Sequence, residues 1–146
     1  MIDKESEDTT VDTTGLEIPR GHGEAILVVD DEAAVLRVAQ KTLAQAGYTV
    51  LTAKDPERAL DLFQVHHGDI YLLLIDVVMP EMSGKELAEA IEAIRPNTKM
   101  LFMSGYTSIK RLQHRVLEAD VRFIRKPFTS ERLTRKVWEV LNTGEW

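Results

Sequence analysis

Four short stretches carry side chains that could do chemistry together: Asp30-Asp31-Glu32, Asp76, Ser104 and Lys126. Three carboxylates brought to one place repel one another and do not all stay charged without a cation. Hard oxygen ligands with room for water favour Mg2+ over zinc or a closed Ca2+ cage. A cation there would also screen Asp76 from an approaching phosphate, which bare carboxylates would reject. The Lys126 ammonium and the Ser104 hydroxyl are suited to holding phosphoryl oxygens, so the set reads as a phosphoryl-transfer site. Each residue alone has a plainer reading. An Asp after a strand is often a helix N-cap, and a Lys before Pro is often a solvated surface residue. The coincidence of all four favours the functional reading.

For that coincidence to matter the stretches must meet, and the apolar pattern says how. Short β-branched runs lie at Ala25–Val29, Tyr48–Leu51, Ile70–Ile75, Lys99–Met103 and Val121–Ile124. Helical stripes separate them: Ala34, Val35, Val38, Thr42 and Ala46, then Ala59, Leu60 and Phe63, then Leu87, Ala90, Ile91 and Ile94. A weaker fourth has Ile109, Leu112 and Val116, and the last has Leu133, Val137, Val140 and Leu141. Gly47 stands where the first helix should stop, Asp55-Pro56 is an N-cap followed by Pro at the first position, and Pro96-Asn97 parts the third helix from the fourth strand. Five βα units in succession predict a doubly wound α/β domain. The expected form is flavodoxin-like, (βα)5, with a parallel five-stranded sheet in strand order 2-1-3-4-5. In such sheets function gathers at the carboxyl ends of the strands. Strand one ends in Asp30-Asp31-Glu32, strand three in Asp76 and strand four in Ser104-Gly105, while strand five runs into Lys126-Pro127. Neighbouring first and third strands would bring Asp30, Asp31 and Asp76 together.

The rest of the composition narrows the alternatives. The 146 residues, 44% hydrophobic and 29% charged, suit one globular domain with a tail. The chain has no cysteine, which removes disulfides, thiol catalysis and zinc-thiolate sites and fits a cytoplasmic location. No apolar run approaches the roughly 18–20 residues of a membrane helix, and the acidic start is no secretory signal. Of the net charge of −6, residues 1–20 carry −4, from six acidic and two basic side chains. Neither part is basic, which argues against nucleic acid as a partner. Residues 1–23 are expected to be a flexible acidic linker, 24–142 the domain and 143–146 a short tail.

These residues resemble the receiver domain of bacterial two-component response regulators. The resemblance rests on Val28-Val29-Asp30-Asp31-Glu32, Leu74-Ile75-Asp76-Val77-Val78-Met79-Pro80 with Met82-Ser83-Gly84, Met103-Ser104-Gly105-Tyr106 and Lys126-Pro127-Phe128. It implies that Asp76 is the phosphoacceptor, taking a phosphoryl group from a histidine kinase or a histidine phosphotransfer protein. It implies Mg2+ held by Asp31, Asp76 and the Val78 carbonyl, with Asp30 acting through water. Ser104 would be the hydroxyl switch, Lys126 the phosphate-contacting lysine on a cis peptide to Pro127, and Phe123 the aromatic switch. Phe123 stands where many members carry Tyr, so a hydroxyl contact at that position is not expected. Output would pass through the face of the fourth helix, fifth strand and fifth helix, which could also pair two copies. In finer style the chain resembles receivers at the carboxyl end of hybrid histidine kinases; a stand-alone regulator or a phosphorylation-independent pseudo-receiver are the alternatives.

Other residues fit blander roles. His66 and His67 suit a helix carboxyl end, and adjacent histidines on a helix point apart. His114 sits among basic residues, and Trp138 borders the last core stripe. An aspartyl phosphatase of the haloacid dehalogenase type would need an acid two residues after Asp76, where Val78 stands, and a flavin phosphate would be repelled by Asp30-Asp31-Glu32.

Overall fold

A computed structural model describes residues 9–11, 17–66, 69–77, 84–105 and 123–142. Five parallel strands form one sheet: β3 (Ala25–Val29), β4 (Thr49–Ala53), β5 (Ile70–Asp76), β6 (Lys99–Ser104) and β7 (Phe123–Arg125). Their order across the sheet is β4-β3-β5-β6-β7, which is the expected 2-1-3-4-5. The helices are α1 (Ala33–Gln45), α2 (Pro56–Val65), α3 (Gly84–Ile94) and α4 (Ser130–Asn142). Helix α4 is the fifth helix of the sequence pattern; the fourth, around Ile109 to Val116, lies outside the described residues. Among the described residues no helix is long and apolar enough to cross a membrane.

Strand alternation divides the core into two layers. Ile26, Val28, Leu72, Leu74, Leu101 and Met103 face α1 and α4, while Leu27, Val29, Leu73, Ile75, Met100 and Phe102 face α2 and α3. All five residues of β3 are buried, as a central parallel strand covered on both sides requires. Helix α2 starts as expected: Asp55 Oδ1 accepts from the Arg58 amide at 2.8 Å, and Pro56 follows it. Gly47 turns the chain after α1 with φ at +103°, a region glycine enters without a Cβ penalty.

Three expectations change in detail. On α1 the inward positions are Ala39, Thr42 and Leu43, with Ala46 behind them, whereas Val38 is half-exposed. The buried face is thus rotated from the expected stripe toward Ala39 and Leu43, which pack with β3 and α4 while Thr42 and Ala46 stay inward as expected. The second strand starts at Thr49 and continues to Ala53, and the fifth is described from Phe123 to Arg125.

Within the expected linker, Thr9–Val11 (β1) and Glu17–Pro19 (β2) pair antiparallel, using the β-branched Thr9, Thr10, Val11 and Ile18. The chain is then fixed ahead of β3. The Gly21 amide donates to the Ala46 carbonyl at 2.7 Å and the Gly23 amide to the Gly47 carbonyl at 2.8 Å. A Cβ at Gly21 would overlap the Tyr48 ring.

Candidate functional site

The sheet delivers the acidic residues to one edge because β3 and β5 are hydrogen-bonded neighbours, with Val29 opposite Ile75. One step beyond that pair stand Asp30, fully shielded from solvent, and Asp76, 6% exposed. Asp31 follows on the exposed side, and the three residues each offer a carboxylate oxygen within 4.8 Å of the others. Local bonds hold the loop in shape: Asp30 Oδ1 accepts from the Glu32 amide at 2.8 Å, and the Asp30 amide donates to Ala53 at 3.2 Å.

Lys126 arrives from the other side. Its amide donates to the Ser104 carbonyl at 2.8 Å, carrying the β6–β7 pairing one residue past Arg125, and its bond to Pro127 is cis as expected. Lys126 Nζ lies 3.1 Å from Asp30 Oδ2, 3.3 Å from Glu32 Oε1 and 3.5 Å from Asp76 Oδ1. Ser104 closes β6 with its side chain fully buried. Among the described residues its hydroxyl is one of two buried side-chain polar atoms without a partner, the other being Tyr48 Oη.

One lysine does not balance this cluster. Burial, with the charge of Asp30 added, pushes the Asp76 carboxyl up to about 6, against the opposing pull of Lys126. Burial also raises Asp30, despite its bonds from the Glu32 amide and Lys126. Burial alone would lower Lys126, but its bond to Asp30 and the charges of Asp30 and Asp76 hold it above the ordinary lysine value. Asp30 and Asp76, buried carboxylates that resist ionisation, with Asp31 open to water beside them, form a set of hard oxygen donors that suits a small divalent cation such as Mg2+.

The structure therefore brings together Asp30, Asp31, Asp76 and Lys126, and it places Ser104 on the strand beside Asp76. Phe123 opens β7, half-buried against the α2–α3 layer. The Val78 carbonyl and Tyr106 lie outside the described residues. Two features were not read from sequence. Glu32 reaches Lys126, and its place directly after Asp30-Asp31 was the available signal. Gly84 opens α3 against the Asp76 backbone, where a Cβ would overlap the Asp76 carbonyl oxygen; the Gly84 amide bonds the Val77 carbonyl at 2.8 Å. Beside the carboxylates runs an open groove of about 560 Å3, with Ala34, Val35, Val38, Pro127 and Phe128 as its apolar wall.

The family profile of the response regulator receiver domain matches residues 26–138, a span containing every one of these groups. The chain belongs to the receiver domain family. Relatives of this receiver include the sensor kinase CckA of Brucella abortus, 34% identical over 116 residues, which are 80% of this chain and 12% of that protein. The transcriptional regulatory protein CpxR of Escherichia coli is 29% identical over 83% of this chain and 50% of its own. The receiver thus spans half or less of these curated relatives. Among solved structures, a response regulator receiver domain protein (CheY-like) from Methanospirillum hungatei is 30% identical with a TM-score of 0.73, covering 83% of this chain and 95% of its own. A receiver domain protein from Clostridium thermocellum gives a TM-score of 0.73 at 27% identity, covering 82% and 95%.

Proposed function

We propose that this receiver accepts a phosphoryl group on the Asp76 carboxylate from a phosphohistidine of a histidine kinase or a histidine phosphotransfer protein. The observation that carries the reading is the convergence of the buried Asp76 with Lys126 and two further carboxylates at one sheet edge. An Asp76 oxygen attacks phosphorus in line, the P–N bond breaks, and the departing imidazole keeps the bonding pair and takes up a proton. Asp76 thereby becomes an acyl phosphate. Lys126 and the Ser104 hydroxyl donate to the equatorial oxygens, so the protein contributes positioning and charge more than acid–base chemistry. Asp31 and Asp76, with Asp30 through water and the Val78 carbonyl, would hold Mg2+, which when bound offsets the negative charge shared by acceptor and phosphoryl group. Water attacking the acyl phosphate would return the domain slowly to rest.

The groove beside the site gives the donor a place to dock. Val38, half-exposed on the face of α1 that looks toward Phe128, offers apolar contact next to Asp76 without blocking it. Output runs from Ser104 through Phe123 to the face of β7 and α4: as the hydroxyl turns to the phosphoryl group, Phe123 moves further into the core. The same face is the candidate for pairing two copies. The match to the sensor kinase CckA is what supports a hybrid-kinase parent, with a stand-alone regulator as the alternative. A full-length product bearing a kinase core would support that origin.

The test is intact-mass measurement after incubation with Mg2+ and acetyl phosphate, alongside Asp76→Asn. A hydroxylamine-labile gain of one phosphoryl group in the wild type alone is expected. No gain from acetyl phosphate or from candidate kinases, in a folded protein, would make this a pseudo-receiver.

A further inference from the structure

Lys126 Nζ donates to Asp30 at 3.1 Å and to Glu32 at 3.3 Å, and it stands 3.5 Å from Asp76 as an ion-pair partner. Two of its three N–H donors are thus held by carboxylates other than the acceptor, and part of that hold must yield for the ammonium to turn fully to a phosphoryl group on Asp76. Asp76 is the acceptor and stays in place. Asp30 is fully shielded, and losing its cation would leave a buried charge uncompensated. Glu32 differs from both. Its side chain is 63% exposed, so water takes over its carboxylate at little cost. It is also the N-cap residue of α1, yet its side chain makes no capping bond and reaches instead across 94 positions of sequence to Lys126.

We propose that Glu32 is a positioning residue, a placeholder that holds Lys126 in the resting protein and is the contact released when the lysine moves to the phosphoryl group. The proposal rests on the phosphoacceptor reading of Asp76. In the step concerned, an Asp76 oxygen attacks the phosphorus of acetyl phosphate, the acyl P–O bond breaks and acetate leaves with the electron pair. Glu32 touches none of these atoms. It sets how readily Lys126 reaches them.

Two substitutions separate this contact from simple charge. Glu32→Gln removes the charge, whereas Glu32→Asp keeps it but draws the carboxylate back by one methylene. Phosphorylation by acetyl phosphate is followed by intact mass, and the Lys126 Nζ resonance is recorded without phosphodonor. Both variants should phosphorylate roughly two- to fivefold faster, the range set by one solvent-facing ion pair, and both should shift the Nζ resonance. A faster Glu32→Gln with Glu32→Asp at the wild-type rate would reduce the effect to charge and overturn the placeholder. So would an unmoved Nζ resonance, or rates equal to or below wild type in both. A wild-type protein that takes up no phosphoryl group from acetyl phosphate or from candidate kinases sinks the phosphoacceptor reading and the placeholder role with it; the Nζ shift then still reports whether Glu32 holds the lysine.

Discussion

Lys126 Nζ stands 3.1 Å from Asp30 Oδ2, and the carboxylate it meets is closed to solvent while the lysine side chain is 17% exposed. The pair joins the end of the first sheet strand to the end of the last, so one contact spans the domain's active edge. Its removal leaves a buried carboxylate beside two others. Lys126→Ala should therefore lower the stability of the metal-free protein at pH 7 by about 2–4 kcal/mol, with part of the loss restored by Mg2+. Chemical denaturation in chelator and in Mg2+ checks both statements.

Asp76 makes stability depend on pH in a particular direction. Its carboxyl stands at about 6 in the folded domain against an ordinary value of 3.8, so the folded state binds the proton more tightly. The resulting stabilisation is fully present below pH 3.8 and is lost as the pH rises through about 6. The rise from 3.8 to about 6 corresponds to on the order of 3 kcal/mol. Metal-free wild type should thus lose stability relative to Asp76→Asn between pH 4 and pH 7, and Mg2+ should shrink the gap. Denaturation of both proteins across that range, with a difference that stays flat, would contradict the assignment.

Among the described residues the buried Ser104 hydroxyl meets no partner, so it adds little to the resting fold. Ser104→Ala should leave resting stability unchanged or raise it by up to about 1 kcal/mol. The variant should still take up a phosphoryl group, but with a smaller chemical-shift response at Phe123 when a phosphoryl analogue binds. A response at Phe123 equal to wild type would remove Ser104 from the output path.

Gly84 has no room for a side chain against the Asp76 carbonyl. Gly84→Ala should cost about 1–3 kcal/mol by forcing α3 away from the end of β5. It should also slow phosphorylation, because the displaced backbone belongs to the acceptor itself. Normal stability together with a normal rate would mean the α3 start absorbs the methyl group.

How much of this was legible in the sequence differs from residue to residue. The strand ends were, because β-branched runs mark strands and the residues that follow them are fixed by chain order. That rule placed Asp30, Asp76, Ser104 and Lys126 on the same edge, and the residue types indicated a cation and a phosphate. Asp55-Pro56 and Gly47 were equally plain, since capping and left-handed turns depend on chemistry within four residues.

The tertiary structure decided what depends on distances across the chain. Val38 and Leu43 are alike in apolar character, and only packing against β3 and α4 turned Leu43 inward and left Val38 on the groove. Glu32 stands next to Asp30-Asp31 in sequence, but its partner was decided by the fold, which brings Lys126 within 3.3 Å of it. The proton affinity of Asp76 likewise follows from burial and from Asp30 beside it, neither of which is written near position 76. Local chemistry is set by neighbours in sequence; charge balance and surface exposure are set by neighbours in space, which only the folded sheet assembles.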